Sequence, residues 1–330
     1  MGVAELLYAR LNGSPMKEIP TVMGSQEILD KAFRRVQKVI VSDLTGIDRA
    51  RAEATGRLSA LSHTITAVLN KYIRAFPSLD QVSPFERELI DISVGLDQLR
   101  HSLGAIDWAR KTVEAIQKKE FSRVRSAATK QEISSALNSA YGRISSVLNK
   151  VSGELDFLNG ARDTLMGMPD INPEEPVVVM AGCPNVGKSQ IVTVISSGKP
   201  EVATYPFTTK EVSLGHLHIG YQRIQIMDTP GLLDREQEKR NKIELQAMAA
   251  LEHLADVLVY VFDPSETCGY SMDIQNSLLR HIRESFSAVP VIVVSNKSDM
   301  GLPGEGLAIS AKENLGMDAL IEAIKSALAL

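Results

Sequence analysis

The stretch VVVMAGCPNVGKS, residues 177–189, decides the fold. Its first five residues are continuously apolar, as in a strand covered on both faces. Gly182-Cys183-Pro184-Asn185-Val186-Gly187-Lys188-Ser189 follows at once, with the GxxxxGKS spacing of a phosphate-binding P-loop. In such a loop, successive backbone N–H groups and the positive end of the next helix surround phosphate oxygens. A Cβ at the glycines would block the tight turn and the approach of phosphate. Lys188 is placed to reach the β- and γ-phosphates, and the Ser189 hydroxyl to ligate Mg²⁺. Gln190, in the first turn of the helix, completes the expected contact set. A chance glycine loop is disfavoured by the strand before it and the helix after it.

Working outward, residues 223–227 run into Asp228-Thr229-Pro230-Gly231. An aspartate at the end of a neighbouring strand can hold Mg²⁺ through water. The Gly231 N–H is then placed to sense the γ-phosphate. By itself DTPG is an ordinary turn; at this distance from a P-loop it reads as a second switch. Between the two lies Tyr205-Pro206-Phe207-Thr208-Thr209, where a threonine can close over Mg²⁺. Thr209 is the assigned ligand and Thr208 the alternative. Leu232 follows Gly231 where some GTPases place a glutamine that orients water, so intrinsic hydrolysis is expected to be slow.

Residues 291–295 lead into Asn296-Lys297-Ser298-Asp299. The Asp299 carboxylate can accept from N1–H and N2–H₂ of guanine, a donor pair that adenine lacks. Lys297 can lay its stem along the base, and Asn296 can tie this loop to the P-loop. Ser310-Ala311-Lys312 follows a short last strand, where a backbone N–H can meet guanine O6. Asn185 has two readings: its amide coordinates a monovalent cation such as K⁺ against the phosphates, or it only braces the loop. The expected ligands are therefore GTP or GDP with Mg²⁺.

The same half contains further strand candidates at 211–219 and 223–227, as a hairpin, and at 257–262, 289–294 and 307–309. Apolar runs separated by helical patterns indicate an α/β fold with a mostly parallel sheet. The front half is different. Leu58, Leu61, Ile65, Val68 and Tyr72 step by threes and fours. So do the apolar positions from Leu89 to Ile106 and from Leu137 to Leu158. Each series makes one apolar stripe on a helix, which buries against others in a bundle or coiled-coil hairpin. Ser83-Pro84-Phe85-Glu86 carries a helix start, with Ser83 capping and Glu86 completing a capping box. Ser25 is expected to cap an earlier helix running through Phe33, Val36 and Ile40. The stretch PDINPEEP, 169–176, marks the boundary between a helical domain, 1–172, and a P-loop domain, 173–330.

Charge divides the same way: residues 1–172 carry a net +3 and 173–330 a net −7, giving −4 in all. Between Arg110 and Lys130, seven basic residues face two acidic ones. Such a segment either neutralises RNA phosphates or is a solvated helix face. Trp108 lies beside it and Phe121 within it, and both are assigned to the helix core rather than to base stacking. Two cysteines make no disulfide framework, which suits a reducing compartment. No apolar run reaches the ~20 residues that span a bilayer, so no membrane partner is expected.

DTPGLLDREQEKRNKIELQAMAALEHLAD, 228–256, FDPSETCGYSMDIQ, 262–275, and YPFTTK resemble the nucleolar GTP-binding (Nog-type) family of Obg-like translation GTPases. FERELIDISVGLDQLRHSLGAIDWARK, 85–111, resembles that family's helical domain. The resemblance implies a GTPase switch in ribosome biogenesis, with the large-subunit precursor or ribosomal RNA as partner. The chain departs from the family at Gln190, where a second serine is usual. It stops at Leu330 without the long extension of eukaryotic members, which implies a short archaeal-type form in the cytoplasm. The alternatives are an Obg-like GTPase in another translation or stress process, or a GTP-binding scaffold whose hydrolysis is incidental.

Overall fold

The computed structural model describes residues 18–42, 44–79, 82–168, 171–172, 174–203, 212–231, 233–234, 247–248 and 251–330. Two compact units emerge. One comprises residues 15–78 with 94–166, and the other 79–93 with 167–330.

The first unit is helical: α1 (Ser25–Val36), α2 (Gly46–Ala75), α4 (Leu96–Ser126), α5 (Lys130–Lys150) and α6 (Ser152–Met166). Leu58, Leu61, Ile65 and Leu69 of α2 are fully buried, as are Leu99, Ile106 and Val113 of α4 and Ile144 and Leu148 of α5. These are largely the stripes read from the periodicity, with two differences: Leu69 is buried where Val68 was expected, and Val113 extends the α4 stripe beyond Ile106. Burying one such side chain is worth ~1.5–3 kcal/mol. Thr129 caps α5 by accepting from the Glu132 N–H at 3.2 Å.

Helix boundaries bring four corrections. The Leu89–Ile106 series is not one helix: Gly95, at φ +79°, separates α3 (Pro84–Val94) from α4. The Leu137–Leu158 series likewise breaks at Val151, between α5 and α6. An apolar stripe continues across such a break because burial follows the face, whereas helix continuity also needs helical backbone at every residue. Ser25 is the first residue of α1; Gly24 precedes it as the cap, and its N–H is taken by the Glu27 carboxylate at 3.2 Å. Ile40 lies beyond α1 and is 80% exposed. The expected capping box of α3 is present: Ser83 N–H donates to Glu86 and Glu86 N–H donates to Ser83 Oγ.

The second unit is built on a seven-stranded sheet in the order β2-β3-β4-β1-β5-β6-β7. The strands are β1 (Val177–Ala181), β2 (Glu201–Ala203), β3 (Val212–Ile219), β4 (Gln222–Asp228), β5 (Val257–Phe262), β6 (Val291–Ser295) and β7 (Leu307–Ala308). β1 pairs in parallel with β4 and β5, and β5–β6–β7 continue in parallel. β3 pairs antiparallel with β4 and with β2. Every residue of β1 and β5 is buried, as a strand between two helical layers requires. Short β2 carried no periodic signal and was invisible in the sequence pattern. The helices α7 (Lys188–Ile195) and α8 (Met272–Ser285) lie between strands, and α9 (Met317–Ala327) follows β7. No helix of the described residues is long and apolar enough to cross a membrane.

Candidate nucleotide-binding site

The P-loop joins the C-terminal end of central β1 to the N-terminus of α7. Open α/β sheets bind ligands beyond the carboxyl ends of their strands, beside a helix start. Three residues of the loop have left-handed backbone: Gly182 (φ +134°), Asn185 (φ +63°) and Gly187 (φ +103°). A Cβ at Gly182 would sit 2.5 Å from the Val261 carbonyl oxygen, and one at Gly187 would run into Asn296 Nδ2. Glycine is thus required by close backbone approach as well as by φ. Asn185 is exposed, and its side chain makes no hydrogen bond to a described residue. Cys183 and Val186 are buried behind the loop, while Pro184 and Gln190 lie nearer the surface.

Lys188 is 6% exposed, and its ammonium donates to the Gly182 carbonyl at 2.8 Å and the Cys183 carbonyl at 3.0 Å. It is thereby held over the loop. The Ser189 hydroxyl donates to Asp228 Oδ2. Asp228 ends β4, adjacent to β1, and is 1% exposed. Burial is the largest influence on its carboxyl and raises its pKa; the Ser189 hydrogen bond and the Lys188 charge offset part of this. Asp228 Oδ1 and Thr229 Oγ1 are buried without a hydrogen-bond partner among the described residues. A buried oxygen left unpaired costs about 1–3 kcal/mol. A hydroxyl beside a carboxylate with one orphaned oxygen is a hard oxygen donor set that fits Mg²⁺. The Gly231 N–H, expected to sense phosphate, instead donates to Asp234 Oδ2 at 2.8 Å. Thr208, Thr209 and Leu232 lie outside the described residues.

The loop after β6 packs against the P-loop. Asn296 is buried, its Nδ2 donates to the Val186 carbonyl at 2.8 Å, and its Oδ1 accepts from the Ala311 N–H at 3.0 Å. One side chain therefore fixes three loops to each other. Asp299 is exposed, and one of its oxygens accepts from the Ser310 hydroxyl at 2.6 Å. Lys297, at φ +62°, directs its ammonium to Asp263 Oδ2 at 2.6 Å and Thr267 Oγ1 at 2.7 Å. Lys312 is exposed and pairs with Glu313.

Sequence reasoning missed the layer beneath these loops. Asp263 follows β5 and is fully buried. Its carboxylate accepts from Lys297, from the N–H and hydroxyl of Ser265, from Thr267 Oγ1, and from the Cys268 N–H at 2.8 Å. Burial, the largest influence, pushes its pKa up, but these donors overcome it and hold the carboxyl at about 2. Gln275 of α8 closes the loop by donating to the Asp263 carbonyl and accepting from its N–H. The available signal was the position of an acid at the carboxyl end of the strand beside β1.

A central parallel sheet, a P-loop over the helix start, and an Asn-Lys-Ser-Asp loop tied to it by Asn296 define a P-loop GTPase domain, here preceded by a helical domain. The model of the NOG1 N-terminal helical domain matches residues 16–172, and that of nucleolar GTP-binding protein 1 (NOG1) matches residues 242–299. Protein MJ1408 of Methanocaldococcus jannaschii is 34% identical over 291 residues, which cover 87% of this chain and 81% of that protein. Nucleolar GTP-binding protein 1 of Saccharomyces cerevisiae is 31% identical over 290 residues, covering 87% of this chain and 45% of its own length. A crystal structure described as nucleolar GTP-binding protein 1 of Plasmodium falciparum aligns at 28% identity and a TM-score of 0.44, over 49% of this chain and 90% of that one. The chain belongs to the NOG1 family. It spans about half the length of its curated eukaryotic relatives.

Proposed function

We propose that this protein binds GTP and GDP with Mg²⁺, hydrolyses GTP slowly, and uses the nucleotide state to control attachment to a precursor of the large ribosomal subunit. The observation that carries the nucleotide reading is Asn296, which holds the Asp299 loop and the Ser310-Ala311-Lys312 loop against the P-loop. Guanine reading and phosphate binding are useful only if the two loops are held a fixed distance apart, and Asn296 fixes it. Lys188 and the loop N–H groups bind the phosphates, and Asp299 reads the base edge. Ser189 and Asp228, with Thr209, hold Mg²⁺, which neutralises phosphate charge when bound. Asn185, exposed on left-handed backbone, is available to a K⁺ ion beside the phosphates.

The ribosomal part of the proposal rests on the names of the relatives and on α4. Lys118, Lys119, Arg125 and Lys130 are exposed and form no ion pair with a described residue. Others in the segment are engaged: Arg110 and Lys111 with Asp107, and Arg123 with the fully buried Glu120. Trp108, expected in the helix core, is instead 46% exposed. An exposed ring on the same helix as unpaired ammonium groups, ten residues before Lys118, suits an RNA surface better than a solvated face does. The nucleotide reading is tested by binding competition among GTP, ATP and xanthosine triphosphate. The partner reading is tested by co-sedimentation with ribosomal particles, comparing a GTP analogue with GDP. Replacing Lys118, Lys119 and Arg125 by glutamate should abolish sedimentation and leave GTP affinity intact. Undiminished sedimentation of that variant would make the segment a solvated face.

A further inference from the structure

A second cationic cavity lies in the sheet unit, at the end of β4 opposite Asp228. His216 and His218 occupy alternate positions of β3 and so share one face. Arg223 of β4 stands directly across from His218 in the antiparallel register. The turn after α7 crosses these side chains. The Ser197 N–H donates to the His216 carbonyl at 2.7 Å, and the Ser197 hydroxyl lies 3.1 Å from His218 Nδ1. Ser197, Gly198, Lys199, His216, His218 and Arg223 line an open cavity of about 440 Å³. That volume lies in the ~300–1,000 Å³ range of small-ligand sites. Its walls carry an ammonium, a guanidinium, two imidazoles and a hydroxyl, and no acid among the described residues.

We infer that this cavity binds a phosphate group, at a site separate from the P-loop. Arginine offers a planar fork of donors to phosphate oxygens, and Lys199 adds a point charge. Arg223 and Asp228 are five residues apart on β4, so the cavity is roughly 16 Å along the strand from the proposed Mg²⁺ position. Two acids stand near the cavity. Glu175 approaches Arg223 to 3.6 Å, a loose pair that leaves most of the guanidinium's donors available. Glu201 acts on His216 only through its charge. Burial, and after it the Arg223 charge, lowers the pKa of half-buried His216, while Glu175 and Glu201 raise it and His218 lowers it. A bound dianion opposes the desolvation and the neighbouring cation. Phosphate therefore binds the protonated imidazole preferentially, and affinity rises as pH falls through the histidine range.

The phosphate can come from a free monoester or inorganic ion, or from the diester backbone of RNA. The test separates these sources with the P-loop saturated by Mg²⁺ and GDP, so that it cannot contribute. Histidine ring resonances of the full chain are followed by NMR at constant ionic strength, in one arm with inorganic phosphate and in the other with a short single-stranded oligouridylate. The expected result is a saturable shift of the His216 and His218 resonances, with a raised titration midpoint for His216, in at least one arm; the responding arm identifies the source. The double variant Lys199→Gln, Arg223→Gln removes two exposed side chains. It should weaken that response about tenfold or more while GDP affinity stays unchanged. No saturable shift in either arm, or a shift that survives in the double variant, overturns the inference.

Discussion

The ammonium of Lys297 lies 2.6 Å from Oδ2 of Asp263, a fully buried carboxylate at the end of β5. The lysine assigned to the guanine base is thus held by an acid that follows the strand next to the P-loop strand. Asp263→Asn removes the charge and reverses one hydrogen bond, so nucleotide affinity should fall about tenfold or more. If Asp263 acts through Lys297, its substitution should change little in a Lys297→Met background. Equal losses in both backgrounds, measured by GDP titration, would make Asp263 a loop brace only.

The same carboxylate sets an acid limit. Its folded pKa of about 2 lies below the ordinary aspartate value of about 3.9. The stability it contributes is therefore complete above the ordinary value and is lost as pH falls from there toward about 2. Denaturation profiles in this window should be steeper for the native protein than for Asp263→Asn. Coincident slopes would contradict the assignment.

Asp228 has the opposite sign. Its raised pKa means that the nucleotide-free fold gains stability as pH falls through that value. Mg²⁺ needs the ionised carboxylate, so cation binding must displace the proton. Mg²⁺ affinity of the GDP complex should begin to drop at a pH above the ordinary carboxylate range. Asp228→Asn should bind Mg²⁺ weakly, with that pH dependence removed. A flat profile for the native protein would exclude Asp228 from the cation site.

Asp299→Asn should exchange nucleotide preference. It places an amide donor against the guanine donors, a mismatch worth ~1–3 kcal/mol for each unpaired group. GTP affinity should fall at least tenfold, and xanthosine triphosphate should gain relative to it. Retained GTP preference in competition binding would show that another residue reads the base.

Lys188→Ala should reduce nucleotide affinity without unfolding the helical unit, because Lys188 belongs to the sheet unit. Trp108 is the sole tryptophan and lies on α4, so its fluorescence follows the helical unit. Its denaturation transition should not move in this variant. Unchanged nucleotide affinity would refute the role of Lys188.

Much of the fold was legible because it is written in local chemistry. The P-loop spacing, the apolar runs of β1 and β5, and the stripe on α2 are periodicities that the chain carries without reference to its partners. The breaks at Gly95 and Val151 were not legible, since apolar spacing runs across them and reports a buried face rather than backbone continuity. Trp108 was misplaced for a related reason: an aromatic near a stripe is usually core, and only packing shows whether its own face is covered.

By itself, the sequence determined which residues are candidates to meet phosphate, cation and base, since P-loop chemistry needs fixed residue types at fixed short spacings. Tertiary structure alone decided what holds them. Asn296 reaches Val186 across 110 positions and Lys297 reaches Asp263 across 34. The cavity at His218 forms because the antiparallel register sets Arg223 opposite it. Such pairs come from strands made neighbours by the order of the sheet. That order is fixed by burial of whole strand faces and hydrogen-bonding of whole edges, a property of the assembled core that no short stretch of the chain contains.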